Sequence, residues 1–226
     1  PGQPHKEPFH IALGIGLRDA SGADLPLTLE GESGPGPTTR VLSLTERRAS
    51  FVFTGIGARP APSLNRGFSA PVRMETDCTD ADLAFLAAND SDPVNRWEAA
   101  QRIYCASVFA AMQAAAAGAP LPDDPAIGTL IAGIVADERA DPALRALAIN
   151  PPDFAYLAGL ASTIDVDAMV AAREHVVRSV ARAARDALLQ CYQSLRVQEP
   201  YAPTPAQVGA RLLANRCLRY LCALDD

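Results

Sequence analysis

The sequence contains three histidines, His5, His10 and His175. Hydrolytic metal chemistry needs two imidazoles one helical turn apart, so that both reach one ion, and a glutamate beside them to activate water. No H-E-x-x-H run occurs. The inverted order, H-x-x-E-H, is half present in AAREH, where Glu174 and His175 fit but Ala171 takes the first position. His175 is therefore expected on the solvent side of a helix. His10 is expected on a strand facing away from the core, and His5 in a disordered N-terminus.

Nucleophile and phosphate motifs are also incomplete. Ser69 in GFSAP has Gly67 two residues before it but Pro71 two residues after, so no G-x-S-x-G elbow forms, and Pro71 lacks an N–H for an oxyanion. Gly14-x-Gly16 is followed by Asp19 where a dinucleotide loop needs its third glycine. Lys6 is the only lysine and follows no Walker-type run. The carboxylate pairs Asp123/Asp124 and Asp225/Asp226 read as loop and terminal charges. Five cysteines (Cys78, Cys105, Cys191, Cys217, Cys222) make an odd number with no C-x-x-C spacing. They are expected as free, mostly buried thiols that pack as small hydrophobes, which suits a cytosolic protein.

The elements that would carry such residues fall into two classes. Ile11, Leu13, Ile15 and Leu17 alternate with Ala12, Gly14 and Gly16, the signal of a half-buried strand. Further strands are expected at 25–30, 41–44 and 50–56, with a short closing strand at 72–75. The stretch 58–71 holds three prolines and cannot be a central strand. Five strands with frequent turns predict a small antiparallel sandwich. From Thr79 the period becomes helical. Thr79 and Asp82 read as a capping box, and Asp-Pro pairs at 92, 124 and 141 and Thr204-Pro205 each start a helix. Residues 167–195 carry one long apolar stripe, expected as a single helix of about 28 residues spanning ~42 Å, with Arg173, Arg178, Arg182 and Arg185 largely off it. A stacked helical array without a fixed repeat follows.

Composition bounds the partners. The net charge of −6 offers no footprint for nucleic acid or an anionic membrane. No apolar run approaches the ~20 residues of a membrane-spanning helix.

Two segments carry a family resemblance: PSLNRGFSAPV (Pro62 to Val72) and DPVNRWEAAQ (Asp92 to Gln101). With PFHIALGIGLRDASGADLPL, LASTIDVDAMVAAREHV, QCYQSL and GARLLANRCLRYL, they resemble the junction between the sandwich and helical domains of bacterial aminopeptidase N, the zinc-dependent alanyl aminopeptidases. The resemblance implies an Ig-like β-sandwich at 1–76, lacking its first strands, and an irregular, superhelix-like α domain at 77–226, truncated at its C-terminus. It implies a catalytic domain elsewhere on the parent polypeptide, with zinc, that removes N-terminal residues from peptides. No catalytic, cofactor or metal residue carries over to this chain. The implied role is to brace that domain and shape substrate access. The alternative is a stand-alone module that binds a peptide or a protein. Self-association through the exposed ends is a further expectation.

Seven residues are singled out as structural candidates at the junction: Arg66, Gly67, Phe68, Asn95, Arg96, Trp97 and Glu98. Arg66 is expected to meet carbonyls or a carboxylate, and Gly67 to supply a positive φ or a close approach. Trp97, the only tryptophan, is expected as a buried anchor rather than a ligand-stacking ring. Asn65 stands where the family resemblance leads one to expect an aliphatic residue.

Overall fold

The computed structural model describes residues 7–196 and 200–224. His5, Lys6 and the Asp225/Asp226 pair lie outside them. The chain divides into two compact units, residues 1–96 and residues 97–226. Each is described by itself.

In the first unit, β1 (Ile11–Arg18) is flanked antiparallel by β3 (Arg40–Leu44) and β5 (Ala61–Leu64), in the order β3-β1-β5. A second sheet pairs β2 (Thr28–Leu29) with β4 (Phe53–Thr54). Leu13 faces Leu42 across one ladder, and Ile15 faces Leu64 across the other. The core is Ile15, Leu27 and Leu42, enclosed by Leu13, Leu17, Phe51, Phe53 and Leu64. The apolar face of β1 therefore packs as its alternation predicts. Its other face is also covered, since Gly14, Gly16 and Arg18 are buried.

Three strand expectations need correction. Residues 25–30 and 50–56 form ladders only at β2 and β4. β5 lies in the proline-rich stretch to which no strand was assigned. It ends its sheet, and Pro62 pairs with Leu17 there, because an outermost strand tolerates a missing N–H. Residues 72–75 form no strand. From Pro71 to Cys78 burial alternates residue by residue, as in a strand, but no neighbouring strand pairs with this backbone.

α1 (Asp80–Asn89) closes the unit against β5. Thr79 caps it: its hydroxyl accepts from the Asp82 N–H, and the Asp82 carboxylate accepts from the Thr79 N–H at 3.0 Å. α2 (Pro93–Ala116) starts in this unit at the Asp-Pro pair, with Asp92 Oδ1 accepting from the Asn95 N–H at 3.0 Å, and continues into the next.

The second unit is helical: α3 (Pro125–Ala136), α4 (Pro142–Ala148), α5 (Phe154–Leu160), α6 (Val166–Ala183), α7 (Arg185–Ser194) and α8 (Pro205–Cys222) follow α2. Asp124, Asp141 and Thr204 cap their helices as the sequence predicts. α8 packs on α4 and α7, and α3 packs on α6 and α7. At the centre, the buried hydroxyls of Tyr104 and Tyr220 meet, and Tyr220 also donates to the Ile149 carbonyl at 2.7 Å.

The single helix expected over 167–195 is two. Ala184, at φ −102° and ψ 9°, separates α6 from α7. No Pro or Gly marks the break. It follows directly on Ala183, where α3 comes so close that a Cβ on Gly128 would sit 2.3 Å from the Ala183 Cβ. Tertiary packing overrides the strong helix propensity of alanine here. Arg173 is likewise not off the packed face. It is buried, donates from Nε to the Pro152 carbonyl at 2.8 Å, and lies over the Phe154 ring.

Candidate functional site

The densest polar constellation among the described residues lies in the first unit, around Arg66. After β5 the chain turns sharply through a short 3₁₀ turn at Arg66–Phe68. Asn65, Gly67 and Phe68 all have left-handed backbone, at φ 57°, 63° and 52°. Glycine adopts this freely, and asparagine tolerates it. Asn65 also locks the turn. Its Oδ1 accepts from the Ala70 N–H at 2.9 Å and its Nδ2 donates to the Ala70 carbonyl at 3.0 Å. An aliphatic residue could make neither bond, which accounts for asparagine here. Phe68, left-handed and without such compensation, is 60% exposed.

The turn sends the Arg66 side chain back across β1 over Gly16. A Cβ on Gly16 would sit 2.0 Å from the guanidinium carbon, so only glycine fits beneath it. Gly14 lies under the same turn and donates its N–H to Ser69 Oγ at 2.7 Å. Ser69 is thus held in a structural bond, with its hydroxyl on Asn65 Oδ1.

Arg66 uses all three nitrogens. Nε donates to Ser63 Oγ at 2.7 Å, and Nη1 to Thr39 Oγ1 at 2.9 Å. Nη2 donates to Asp24 Oδ1 at 2.6 Å and reaches Asp90 Oδ1 at 3.5 Å. Arg18, from the end of β1, pairs with the same Asp24 oxygen at 2.8 Å and donates to the carbonyls of Gly22 and Asn89. Ser91 donates to the other Asp24 oxygen at 2.7 Å. Burial opposes the Asp24 charge, but the hydrogen bonds from Arg66, Ser91 and Arg18 outweigh it and hold the carboxyl below its usual range. Asp90 is fully buried. Its Oδ1 also accepts from the Asp92 N–H at 2.9 Å, while Asp90 Oδ2 and Arg18 Nε are buried without partners.

The other singled-out residues divide between the units. Gly67 donates its N–H to Asp92 Oδ2 at 2.8 Å, and Asn95 Nδ2 donates to Ser63 Oγ at 2.8 Å, so both join the Arg66 network. Arg96 reaches the Ala87 carbonyl at 3.3 Å. Trp97 and Glu98 begin the second unit, both half-buried. Burial raises the Glu98 carboxyl, with Arg102 opposing. Sequence reasoning missed Arg18, Asp24, Asp90 and Ser63. One signal was available: two glycines facing away from the apolar side of β1 mark a place where something bulky lies across the strand.

The chemistry is that of a clasp. Two cations and two carboxylates neutralise one another, every strong donor of Arg66 is engaged, and no pairing resembles a nucleophile with a base. Elsewhere, His175 is half-buried rather than on the solvent side, and its Nε2 lies 3.0 Å from the Pro122 carbonyl and 3.5 Å from Asp123. His10 is exposed, just before β1, against Ser43 Oγ at 3.2 Å. Asp124 caps α3 and accepts from Ser107, while Asp123 pairs with Arg182. Among the described residues no three His, Cys, Asp or Glu side chains converge on a point that could hold a metal ion, so they do not fit a zinc. Among the described residues no helix is long and apolar enough to cross a membrane.

Known proteins share this two-part fold. The fold is that of an Ig-like domain followed by a helical domain of ARM-repeat type, and two family profiles match in that order. Residues 1–77 match the domain of unknown function DUF3458, Ig-like fold, and residues 80–226 match DUF3458_C, ARM repeats. The chain belongs to the DUF3458_C family, whose profile spans more than half of it. It is similar to aminopeptidase N of Escherichia coli, 32% identical over 98% of this chain and 25% of that protein. Aminopeptidase N of Haemophilus influenzae is 31% identical over 97% of the chain and 25% of the relative. For that of Caulobacter vibrioides the values are 31%, 82% and 21%. The chain thus spans about a quarter of the length of these curated relatives. In fold it matches the crystal structure of Legionella pneumophila aminopeptidase A in complex with aspartic acid, at a TM-score of 0.78 and 23% identity, over 96% of this chain and 24% of that one.

Proposed function

We propose that this chain is a non-catalytic part of a zinc-dependent aminopeptidase of the aminopeptidase N type, one that removes N-terminal residues from peptides in the cytoplasm. Its sandwich and helical parts, divided near residue 76, brace the catalytic domain of the same polypeptide and limit access to short or unfolded peptides. Arg66, Gly67, Phe68 and Asn95 to Glu98 serve as structure at the domain junction and take no part in bond breaking. One observation carries the reading: almost the whole chain aligns with aminopeptidase N, yet it covers only a quarter of that protein. The clasp around Arg66 supports it, since all three guanidinium nitrogens of Arg66 are engaged by partners within the chain.

The test has two arms. The natural reading frame is read upstream of Pro1 for an H-E-x-x-H motif, and the 226-residue protein is assayed on an alanyl chromogenic amide with and without added zinc. The expected result is a zinc motif upstream and no turnover by this chain. Turnover by the pure, metal-free chain overturns the non-catalytic reading. A frame without a zinc motif overturns the peptidase reading in favour of a binding module.

A further inference from the structure

A cluster of positive charge lies in the helical unit, where α6 and α8 pack together beside the connection from α4 to α5. Tyr220 on α8 donates to the Ile149 carbonyl at 2.7 Å, and Arg173 on α6 donates from Nε to the Pro152 carbonyl at 2.8 Å, so both side chains land on that one short connection. Arg216 stands one helical turn before Arg219 and Tyr220, on the same face of α8. Arg173 is buried, Arg216 half-buried and Arg219 exposed, a stair of cations from the interior to the surface. Other arginines of this unit meet carboxylates: Arg178 pairs with Glu174, Arg182 with Asp123 and Arg185 with Asp186. Among the described residues, nothing accepts from Arg173 Nη1 or Nη2, and neither Arg216 nor Arg219 has an ion pair or hydrogen bond. We propose that Arg173, Arg216 and Arg219 form a binding site for a compact dianion, the phosphoryl group of inorganic phosphate or of a small phosphate monoester.

The charge of the cluster selects the ligand. One carboxylate acts on Arg173, that of Asp153, and its Oδ1 already accepts from the Tyr156 N–H at 2.8 Å to cap α5. Three cations against one anion leave an excess that a phosphoryl group, close to doubly charged near pH 7, would neutralise. A single carboxylate would leave one guanidinium uncompensated, and an extended acidic segment would meet Arg219 and Arg216 but not the buried Arg173. The Arg173 guanidinium lies over the Phe154 ring, 5.2 Å from its centroid. The ring takes the face of the guanidinium and leaves its in-plane Nη donors free for oxygen acceptors, the geometry in which arginine holds phosphate. The two tyrosines supply no donor. The Tyr220 proton goes to Ile149, and the Tyr104 hydroxyl is spent on Tyr220. Their part is to hold α8 against the connection that also fixes Arg173. The cations also oppose one another: burial first, and then the charge of Arg219, hold both Arg173 and Arg216 below the usual arginine value. An anion bound among them relieves both effects.

The 226-residue protein, in chloride buffer, is titrated with inorganic phosphate at constant ionic strength and followed by calorimetry and by melting temperature. The expected result is saturable binding at one site per chain, with a rise in melting temperature that chloride does not give. Arg216→Gln and Arg219→Gln remove no hydrogen bond of the fold, and each should weaken phosphate at least about tenfold, the usual loss for a hydrogen bond to a charged group. Arg139→Gln, at an exposed arginine paired with Asp137, should leave binding unchanged. Glycerol phosphate, run in parallel, separates the sources: a matching response, lost in the same variants, assigns the site to phosphate monoesters as well, and silence assigns it to free phosphate. Phosphate binding no better than chloride overturns the site. Binding that survives either arginine variant overturns its placement, so one folded variant suffices. A poly-glutamate peptide that binds where phosphate does not would make this a docking face for an acidic protein and overturn the phosphoryl reading.

Discussion

Arg66 is the residue on which the first unit's polar interior depends. Removing it leaves Asp90, fully buried, and Asp24 facing one cation in place of two. Breaking a buried pair typically costs about 3–5 kcal/mol, because the remaining charge has no counterpart. Arg66→Ala is expected to lose stability on that scale in urea unfolding, and Arg66→Lys to recover little, since an ammonium cannot reach Ser63, Thr39 and Asp24 together. A loss under about 1 kcal/mol would show the clasp to be ornamental. Asp24 adds a pH dependence with a defined sign. Its folded value lies below 3.8, so its stabilisation is complete above that pH and fades as acid protonates the folded carboxyl. The stability gap between the unmutated protein and Asp24→Asn should therefore narrow as the pH falls below about 4. At this scale the sequence was partly legible. Arg66 and Gly67 stand out in a compact motif, whereas Asp24 and Asp90 sit far away in ordinary loop contexts. Only folding brings them together.

Helix starts were the most legible elements, because a cap is a local device: Thr79 with Asp82, and the aspartates before Pro93, Pro125 and Pro142, announce their positions within four residues. Strand limits were less so. Ladders depend on what lies alongside, which is why 72–75 alternates in burial yet pairs with nothing, and why β5 forms in spite of Pro62. The break at Ala184 was invisible for the same reason, as it follows a contact with α3. That contact makes a prediction. Alanine usually stabilises a helix over glycine by about 1 kcal/mol, yet Gly128→Ala is expected to lower the melting temperature, since the new methyl would fall 2.3 Å from the Ala183 Cβ. A rise in melting temperature would refute the close approach of α3 and α6.

For the molecule as a whole, each unit leaves apolar surface uncovered. In the first, β3 ends its sheet with Val41 61% exposed, an edge open to another strand. In the second, Leu147 of α4 and Leu212 of α8 are 53% and 45% exposed. Concentration-dependent self-association is expected in sedimentation velocity; a single monomeric boundary at high concentration would count against both surfaces. The polar clasp also bears on how such proteins can be recombined. The two family profiles meet between residues 77 and 80, an inviting place to splice sandwiches and helices from different relatives. Yet Arg66 reaches Asp90, Arg18 reaches Asn89, Asp24 holds Ser91, and Gly67 holds Asp92, all across that seam. A chimera joined there would take the two partners of every one of these bonds from different parents, and a sandwich ending at residue 78 should unfold at markedly lower urea than one carried through Arg96. Swaps placed after Arg96 would move the complete clasp as a single cassette.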